Sequence, residues 1–326
     1  MPLVSVIIPI FNGEKTIRDT IESVINQTFS NWELIAIDDG SQDATLDIVS
    51  SIKDSRLKVF SYPNAGAPTS RNRGFSHSEG EFIAFLDADD CWTPDKLEAQ
   101  LKALQENPDA AVAYSWSDFV DESGSFLRQG SHSTVSGNVY EKLLLADFLD
   151  NGSNPLIRRQ AFMEVGGFDE SLPAGQDWDL YLRLAARYNF VVVPVSQILY
   201  RVSANSISSN VMRLESGCLK AIERAFSQAP ESLQYLKPYS LANLYKYLTF
   251  KILDAPPERH KGLAAARFIW QAIVCDRDRL PKQQILFRIL LKIALFTLLP
   301  SKKAQALIDK SNTLPKIQNV LLSYMR

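Results

Sequence analysis

Residues 81–92 read EFIAFLDADDCW. An apolar run, Phe82-Ile83-Ala84-Phe85-Leu86, leads straight into three carboxylates within four positions, Asp87, Asp89 and Asp90. A short apolar run of this kind predicts a buried strand. Carboxylates held so close repel one another, and ionising all of them is costly unless a cation or solvent relieves them. A solvated turn after a strand is the plain alternative. The choice between the two rests on the surrounding sequence.

Upstream, the same pattern recurs. VSVIIPI (residues 4–10) reads as a buried strand, and ELIAI (33–37) as a second one ending in Asp38-Asp39-Gly40-Ser41. Between them, residues 13–27 place Ile17, Ile21, Val24 and Ile25 at helical spacing after the breakers Asn12 and Gly13. Asp43 predicts an N-cap for a helix carrying Leu46, Val49 and Ile52 on one stripe. Leu57 to Tyr62 predicts a third strand and Arg71 to Ser78 a helix. After the acidic cluster, Thr93 is the expected cap of another helix, with Pro94 at its first position.

Strands alternating with helices predict an α/β fold with a mixed, mostly parallel sheet flanked by helices. In such folds ligands bind at the carboxyl edge of the strands. Here the strand ends carry Pro9-Ile10-Phe11-Asn12, then Asp38-Asp39, then Asp87-Ala88-Asp89. Three polar strand ends converging on one crevice weigh against three unrelated solvated turns.

From about residue 110 the character changes. AVAYSWSDFV (111–120) and FVVVPV (190–195) read as strands, Leu180 to Arg187 as a helix, and Ser123 to Gly137 as a mobile Gly/Ser-rich loop. Beyond about 210 the strand signals stop. Residues 212–253 and 260–326 read as helices separated by Pro238, Pro256-Pro257, Pro281 and Pro300. Charge divides at the same place. Residues 1–209 hold 16 basic and 29 acidic side chains, and residues 210–326 hold 19 and 8, so a net charge of −2 conceals −13 against +11. The expected organisation is a domain over 1–209, with a nucleotide half (1–110) and an acceptor half (111–209), followed by an all-helical basic region over 210–326.

With 326 residues, 46% hydrophobic and 22% charged, the composition is that of an ordinary soluble protein. Cys91, Cys218 and Cys275 form neither a disulfide framework nor a metal knuckle, and MPLVSVIIPI lacks the basic start and cleavage site of a signal peptide. A reducing, cytoplasmic location is expected, and no nucleic-acid partner. QQILFRILLKIALFTLLPS (283–301) is the most apolar stretch, too short and interrupted for a comfortable membrane span. It reads either as a core helix that snorkels Arg288 and Lys292, or as an interfacial helix on anionic lipid at the inner face of the plasma membrane, or as an oligomer contact.

The chemistry of a DxD at a strand end is specific. Its two carboxylates can hold a hard divalent cation such as Mg²⁺ or Mn²⁺, whose shell substrate phosphates complete. No GxxxxGK[ST] and no GxGxxG occurs, which argues against a P-loop ATPase and a dinucleotide-dependent dehydrogenase. In order, VSVIIPIFN, IDDGSQD, APTSRNRG, FIAFLDADD, GGFDE and QDWDLYLRL make up a series that resembles the family-2 glycosyltransferases, over roughly residues 3–210.

That resemblance implies a GT-A type nucleotide-binding fold and inverting transfer from a nucleotide-diphosphate sugar, with a divalent metal (Mn²⁺ or Mg²⁺). Family habit points to UDP, and a saccharide or lipid-linked saccharide in cell-surface polysaccharide or glycolipid synthesis is the expected acceptor. Carried over residue by residue, it puts Pro9, Phe11 and Asn12 beside the base and has Asp39 accept a hydrogen bond from it. Arg71 lies near base and phosphates, Asp87 at the ribose or metal, and Asp89 on the metal. Asp177 is then the general base, with Asp179 its rival two positions on. Two departures stand out. Gln176 occupies the place of the family's usual glutamate, and no histidine follows Tyr200-Arg201, which leaves Arg201 as a candidate for neutralising the diphosphate. Trp92, Trp178 and the three histidines read as packing or incidental residues. The competing readings are a sugar-phosphate nucleotidyltransferase and a non-catalytic nucleotide-sugar or partner-binding module.

Overall fold

The first strand, β1 (Val4–Ile10), is buried at every position, as a strand covered on both faces must be. It pairs in parallel with β2 (Trp32–Asp38) on one side and β4 (Phe82–Phe85) on the other, and β2 pairs in parallel with β3 (Leu57–Ser61). The order β3-β2-β1-β4 therefore reverses direction at β1. Such a switch point opens a crevice beyond the carboxyl ends of the strands on either side of it. Asn12 and Asp87 follow those two strands. The computed structural model describes residues 1–202, 210–277 and 283–311.

Helices α1 (Ile17–Ile25), α2 (Thr45–Ser51) and α3 (Ala67–Ser76) connect these strands. The inward stripe of α1, Ile17, Ile21 and Val24, is fully buried with Val4, Val6 and Ile8 of β1 in one core. Helix α3 lies so close to the sheet that a Cβ on Gly74 would stand 2.3 Å from Ile7 Cγ2, so the last residue of RNRG has to be glycine.

Past β4 the sheet becomes mixed. The two-residue β5 (Cys91–Trp92) is followed by α4 (Lys96–Glu106), β6 (Ala110–Val120), β7 (Phe126–Gln129), α5 (Tyr140–Leu145), β8 (Leu156–Arg158), α6 (Arg159–Glu164), α7 (Gln176–Ala185) and β9 (Asn189–Arg201). Strand β8 runs antiparallel to both β4 and β6, and β9 pairs in parallel with β6. Cys91 and Trp92 pair antiparallel with Leu199 and Ile198 of β9, so the acidic turn 87–90 is clamped at both ends.

Several local expectations shift. Helix α4 begins at Lys96, not Pro94, because the Thr93 hydroxyl donates to Asp95 at 2.6 Å and closes a separate turn first. Ala44 takes the cap position of α2, while the Asp43 carboxylate accepts from Thr45 N at 3.0 Å. The stretch 123–137 is not a plain loop. It contains β7, paired with β6, and ends in a bridge from Gly137 to Phe190.

By its contacts the chain divides into two compact units. One comprises Met1–Leu143, Asp147–Leu172 and Gln176–Ser206; the other comprises Leu144–Ala146, Pro173–Gly175 and Ile207–Arg326. The second is helical: α8 (Val211–Gln228), a 3-10 turn (Glu231–Leu236), α9 (Lys237–Asp254), α10 (Arg259–Cys275), α11 (Gln283–Leu298) and α12 (Ser301–Lys310). Pro238 does not separate helices but lies in the first turn of α9, where its missing N–H costs nothing. Pro281 and the stretch beyond Ser311 lie outside the described residues. No described helix is long and apolar enough to cross a membrane.

Candidate active site

The loops that leave β1 and β2 are stitched together by side chains. Asn12, at φ 50, accepts from Gln42 N at 2.8 Å and donates its own N–H to the Ser41 hydroxyl at 3.0 Å. Pro9 is buried within β1, whereas the Phe11 ring is 51% exposed at its end. Asp39 is buried and holds the β3–α3 loop, accepting from Ala65 N at 2.9 Å and Gly66 N at 2.7 Å, with Arg73 Nη1 3.6 Å away.

At the centre sits Arg71, buried on α3. Its Nη2 donates to Asp87 Oδ1 at 2.5 Å and its Nη1 lies 3.5 Å from Asp177 Oδ1. The guanidinium also faces the Phe168 ring at 5.1 Å. Burial alone would lower its pKa, but the charges of Asp87 and Asp177 outweigh that and hold the cation firmly protonated. Asn72, next to it, reads the backbone of GGFDE, donating to Phe168 O at 2.9 Å and accepting from Phe168 N at 3.0 Å. RNRG and GGFDE are thus two halves of one contact.

The four residues of the DADD turn have different fates. Asp90 is fully buried and accepts from the Ser153 hydroxyl at 2.5 Å and from Arg201 N at 3.0 Å. Burial, then the charges of Asp89 and Asp87, push its carboxyl well above the ordinary range, so it is a framework residue. Asp89 is pushed up to about 6, by burial first and the Asp87 charge second, with Arg201 opposing. Asp87 already has Arg71 as its counter-charge, whereas Asp89 makes no ion pair among the described residues. The carboxylate left for a divalent cation is therefore chiefly that of Asp89. Among the described residues no cluster of three ligating side chains forms, so phosphate and water oxygens would have to complete the shell of such an ion.

Arg201 lies beneath this turn. It donates to Asp89 O at 2.9 Å and Glu122 O at 2.6 Å, and its Nη2 is 3.6 Å from Asp19. Its guanidinium is therefore occupied in holding the turn.

Asp177 enters from the first turn of α7. Its carboxylate lies against the backbone of Gly152, where a Cβ would stand 2.8 Å from Oδ1. That Oδ1 is buried and accepts no hydrogen bond among the described residues. Burial pushes the Asp177 carboxyl up and Arg71 opposes it. Asp179 turns the other way, into a buried pair with Arg183 at 2.8 Å. Gln176 is buried too, and donates to Leu172 O at 3.2 Å.

The sequence pattern of the family described as "Glycosyltransferase like family 2" matches residues 5–252. The chain belongs to that family. TuaG of Bacillus subtilis, named for teichuronic acid biosynthesis, is 33% identical to this chain over 216 residues, 64% of this chain and 82% of TuaG. Two solved structures share its fold. One is Staphylococcus aureus TarS (residues 1–349) in complex with UDP-GlcNAc, with TM-score 0.54, 19% identity and coverage of 99% of this chain and 89% of that one. The other is the Pyrobaculum calidifontis mannosyltransferase PcManGT in complex with GDP-Man and Mn²⁺, with TM-score 0.60, 18% identity and coverage of 99% and 86%. The chain spans 31 to 38% of the length of three Rickettsia glycosyltransferases that it also matches.

Sequence reasoning missed the buried loop Asn151-Gly152-Ser153-Asn154, which joins the DADD turn to Asp177. The Ser153 hydroxyl accepts from Asp87 N at 3.0 Å and donates to Asp90, and its carbonyl accepts from Trp92 Nε1 at 2.8 Å. Asn151 O accepts from the buried Tyr181 hydroxyl at 2.9 Å. Trp92 and Trp178 are both buried packing residues, the latter donating to Leu143 O at 2.9 Å. Two of the histidines are not incidental: His77 stacks on Phe60 at 3.8 Å, and His132 stacks on Trp116 at 4.5 Å.

Proposed function

We propose that the protein moves a sugar from a UDP-sugar to a hydroxyl of a saccharide or lipid-linked saccharide, with inversion at the anomeric carbon, in building cell-surface polysaccharide or glycolipid. One observation carries this reading. Asp87, from the DADD turn, and Asp177, ninety positions later, share a single buried guanidinium, which ties a donor-side and an acceptor-side carboxylate together.

In the proposed reaction the Asp177 carboxylate, whose Oδ1 faces Arg71 Nη1 at 3.5 Å, receives the proton of the acceptor hydroxyl. The acceptor oxygen bonds to the anomeric carbon as that carbon's bond to the phosphate oxygen breaks, and the nucleoside diphosphate leaves. Asp89 with Asp87 would hold a divalent cation, Mn²⁺ or Mg²⁺, which would supply Lewis-acid neutralisation of the charge on the diphosphate. Pro9, Phe11, Asn12 and Asp39 line the base and ribose end. Arg71 is the counter-charge that Asp87 and Asp177 share, and Arg201 adds positive charge behind the metal turn. Support for the donor class and the metal comes from the ligands bound by TarS and PcManGT, and support for the acceptor class from the name of TuaG. A cytoplasmic location suits three cysteines that are all free.

Calorimetric titration of UDP, GDP and their sugars, with and without Mn²⁺, tests the donor site. Metal-dependent binding of a nucleoside diphosphate is the expected result, and its absence for every nucleotide would overturn the reading of Asp87 and Asp89. Donor binding with neither transfer nor donor hydrolysis would favour a non-catalytic binding module instead.

A further inference from the structure

The helical unit carries an apolar face that none of the proposed chemistry uses. On α10 the exposed positions recur at helical spacing as Arg259, Leu263, Arg267, Trp270 and Val274. On α11 they include Phe287, Leu290 and Leu298. Trp270 is 63% exposed, Phe287 67% and Leu298 79%. The other side of α11, with Ile289, Ile293 and Phe296, is buried. Lys292 is buried with them, and burial pulls its pKa down against the nearby Asp254. Gly262, near the start of α10, lies against Phe296 and Thr297 near the end of α11, so the two helices run antiparallel as a hairpin. Large exposed aromatic and aliphatic side chains on two helices packed against each other mark an interaction surface.

Charge selects the occupant. Helices α10 and α11 together hold five basic side chains and no acidic one. Lys261 is paired with Glu258, Arg267 with Glu215, and Lys292 is buried, which leaves Arg259 and Arg288 without an ion pair among the described residues. Helix α12 adds Lys302, Lys303 and Lys310 against a single acid, Asp309. Two copies of the chain meeting through this face about a two-fold axis would bring Arg259 and Arg288 of both copies together with no acid on either helix to pair them. An anionic bilayer answers both properties at once, since its headgroups neutralise the basic residues while the exposed Trp, Phe and Leu side chains enter the boundary below.

We propose that the α10–α11 hairpin docks the protein on an anionic lipid surface, lying on the membrane and not crossing it. This inference is independent of the chemistry assigned to Asp177 and is tested without turnover. The full chain is sedimented with vesicles of phosphatidylcholine alone and of phosphatidylcholine mixed with phosphatidylglycerol. The expected result is pelleting with the mixed vesicles only, reversed by added salt, and weakened at least about tenfold in Trp270→Glu and in Phe287→Glu. Leu298→Glu is a third variant at the most exposed position, and thermal melting of each variant verifies that it is folded. Failure to bind anionic vesicles, equal binding to neutral ones, or undiminished binding by all folded variants would each overturn the proposal. So would light scattering that shows a dimer broken by these substitutions in a chain that ignores vesicles, since the face would then be a contact between copies.

Discussion

Arg71 Nη1 stands 3.5 Å from Asp177 Oδ1 while the same guanidinium donates to Asp87 at 2.5 Å. Replacing Arg71 by Met leaves two partly buried carboxylates facing each other without their counter-charge. The variant should lose about 2–3 kcal/mol of stability in denaturant unfolding. Arg71→Lys keeps the charge but lacks the planar fork that reaches both acids, so it should unfold closer to the wild type yet turn over poorly. An unchanged midpoint for the Met variant would show that the bridge is not a stabilising contact.

The close approach of Gly152 to Asp177 makes a separate prediction. A methyl group at position 152 would meet the carboxylate at 2.8 Å, and overpacking of this kind costs about 1–3 kcal/mol. Gly152→Ala should lower kcat, because the proposed base is displaced, while the KM for donor stays near the wild-type value because the three atoms nearest the added methyl all belong to Asp177. A variant with unchanged kcat would mean that the Asp177 side chain has room to retreat without loss.

Much of the sheet from β1 to β4 is legible in the sequence because buried parallel strands are nearly unbroken apolar runs, as in β1, buried at all seven positions. The polar residues after those runs were visible for the same reason. The loop 151–154 was not, since Asn-Gly-Ser-Asn reads as solvent-exposed, and the following strand, β8, is only three residues long. The loop is buried because its polar groups find partners: Ser153 with Asp90, Asn151 with Ser117, and Asn154 with Ser115. Such partners come from distant segments and leave no local pattern. By contrast, the choice between Asp177 and Asp179 had a local signal, for Arg183 stands four residues after Asp179 on the same helix face.

That choice can be tested directly. Asp177→Asn removes the proposed base and should cut kcat by about 10²–10⁴ while leaving donor affinity unchanged. Asp179→Asn should retain most turnover and instead lose about 1–3 kcal/mol through its weakened pair with Arg183. Calorimetric donor titration beside a transfer assay separates the outcomes. If the Asp179 variant loses turnover and the Asp177 variant keeps it, the assignment is reversed.

Asp147 gives a pH prediction of definite sign. Burial first, and then the charges of Asp150 and Asp177, push its carboxyl up to about 7 from an ordinary 3.8, against the opposing hydrogen bond from Leu149 N. Between those two values the folded state binds the proton that the unfolded state has released, so stability falls as pH rises through this window. The contribution is fully present below about pH 4 and lost above about pH 7. In Asp147→Asn the amide oxygen can still accept from Leu149 N, which the native Oδ1 does at 3.0 Å, but no charge is ever buried. The variant should melt at nearly the wild-type temperature at pH 4 and at a higher one at pH 8. A stability difference that is the same at both pH values would mean that Asp147 titrates as an ordinary solvated carboxylate, and that the polar cluster around Asp177 is wetter than its packing against Gly152 and Tyr181 implies.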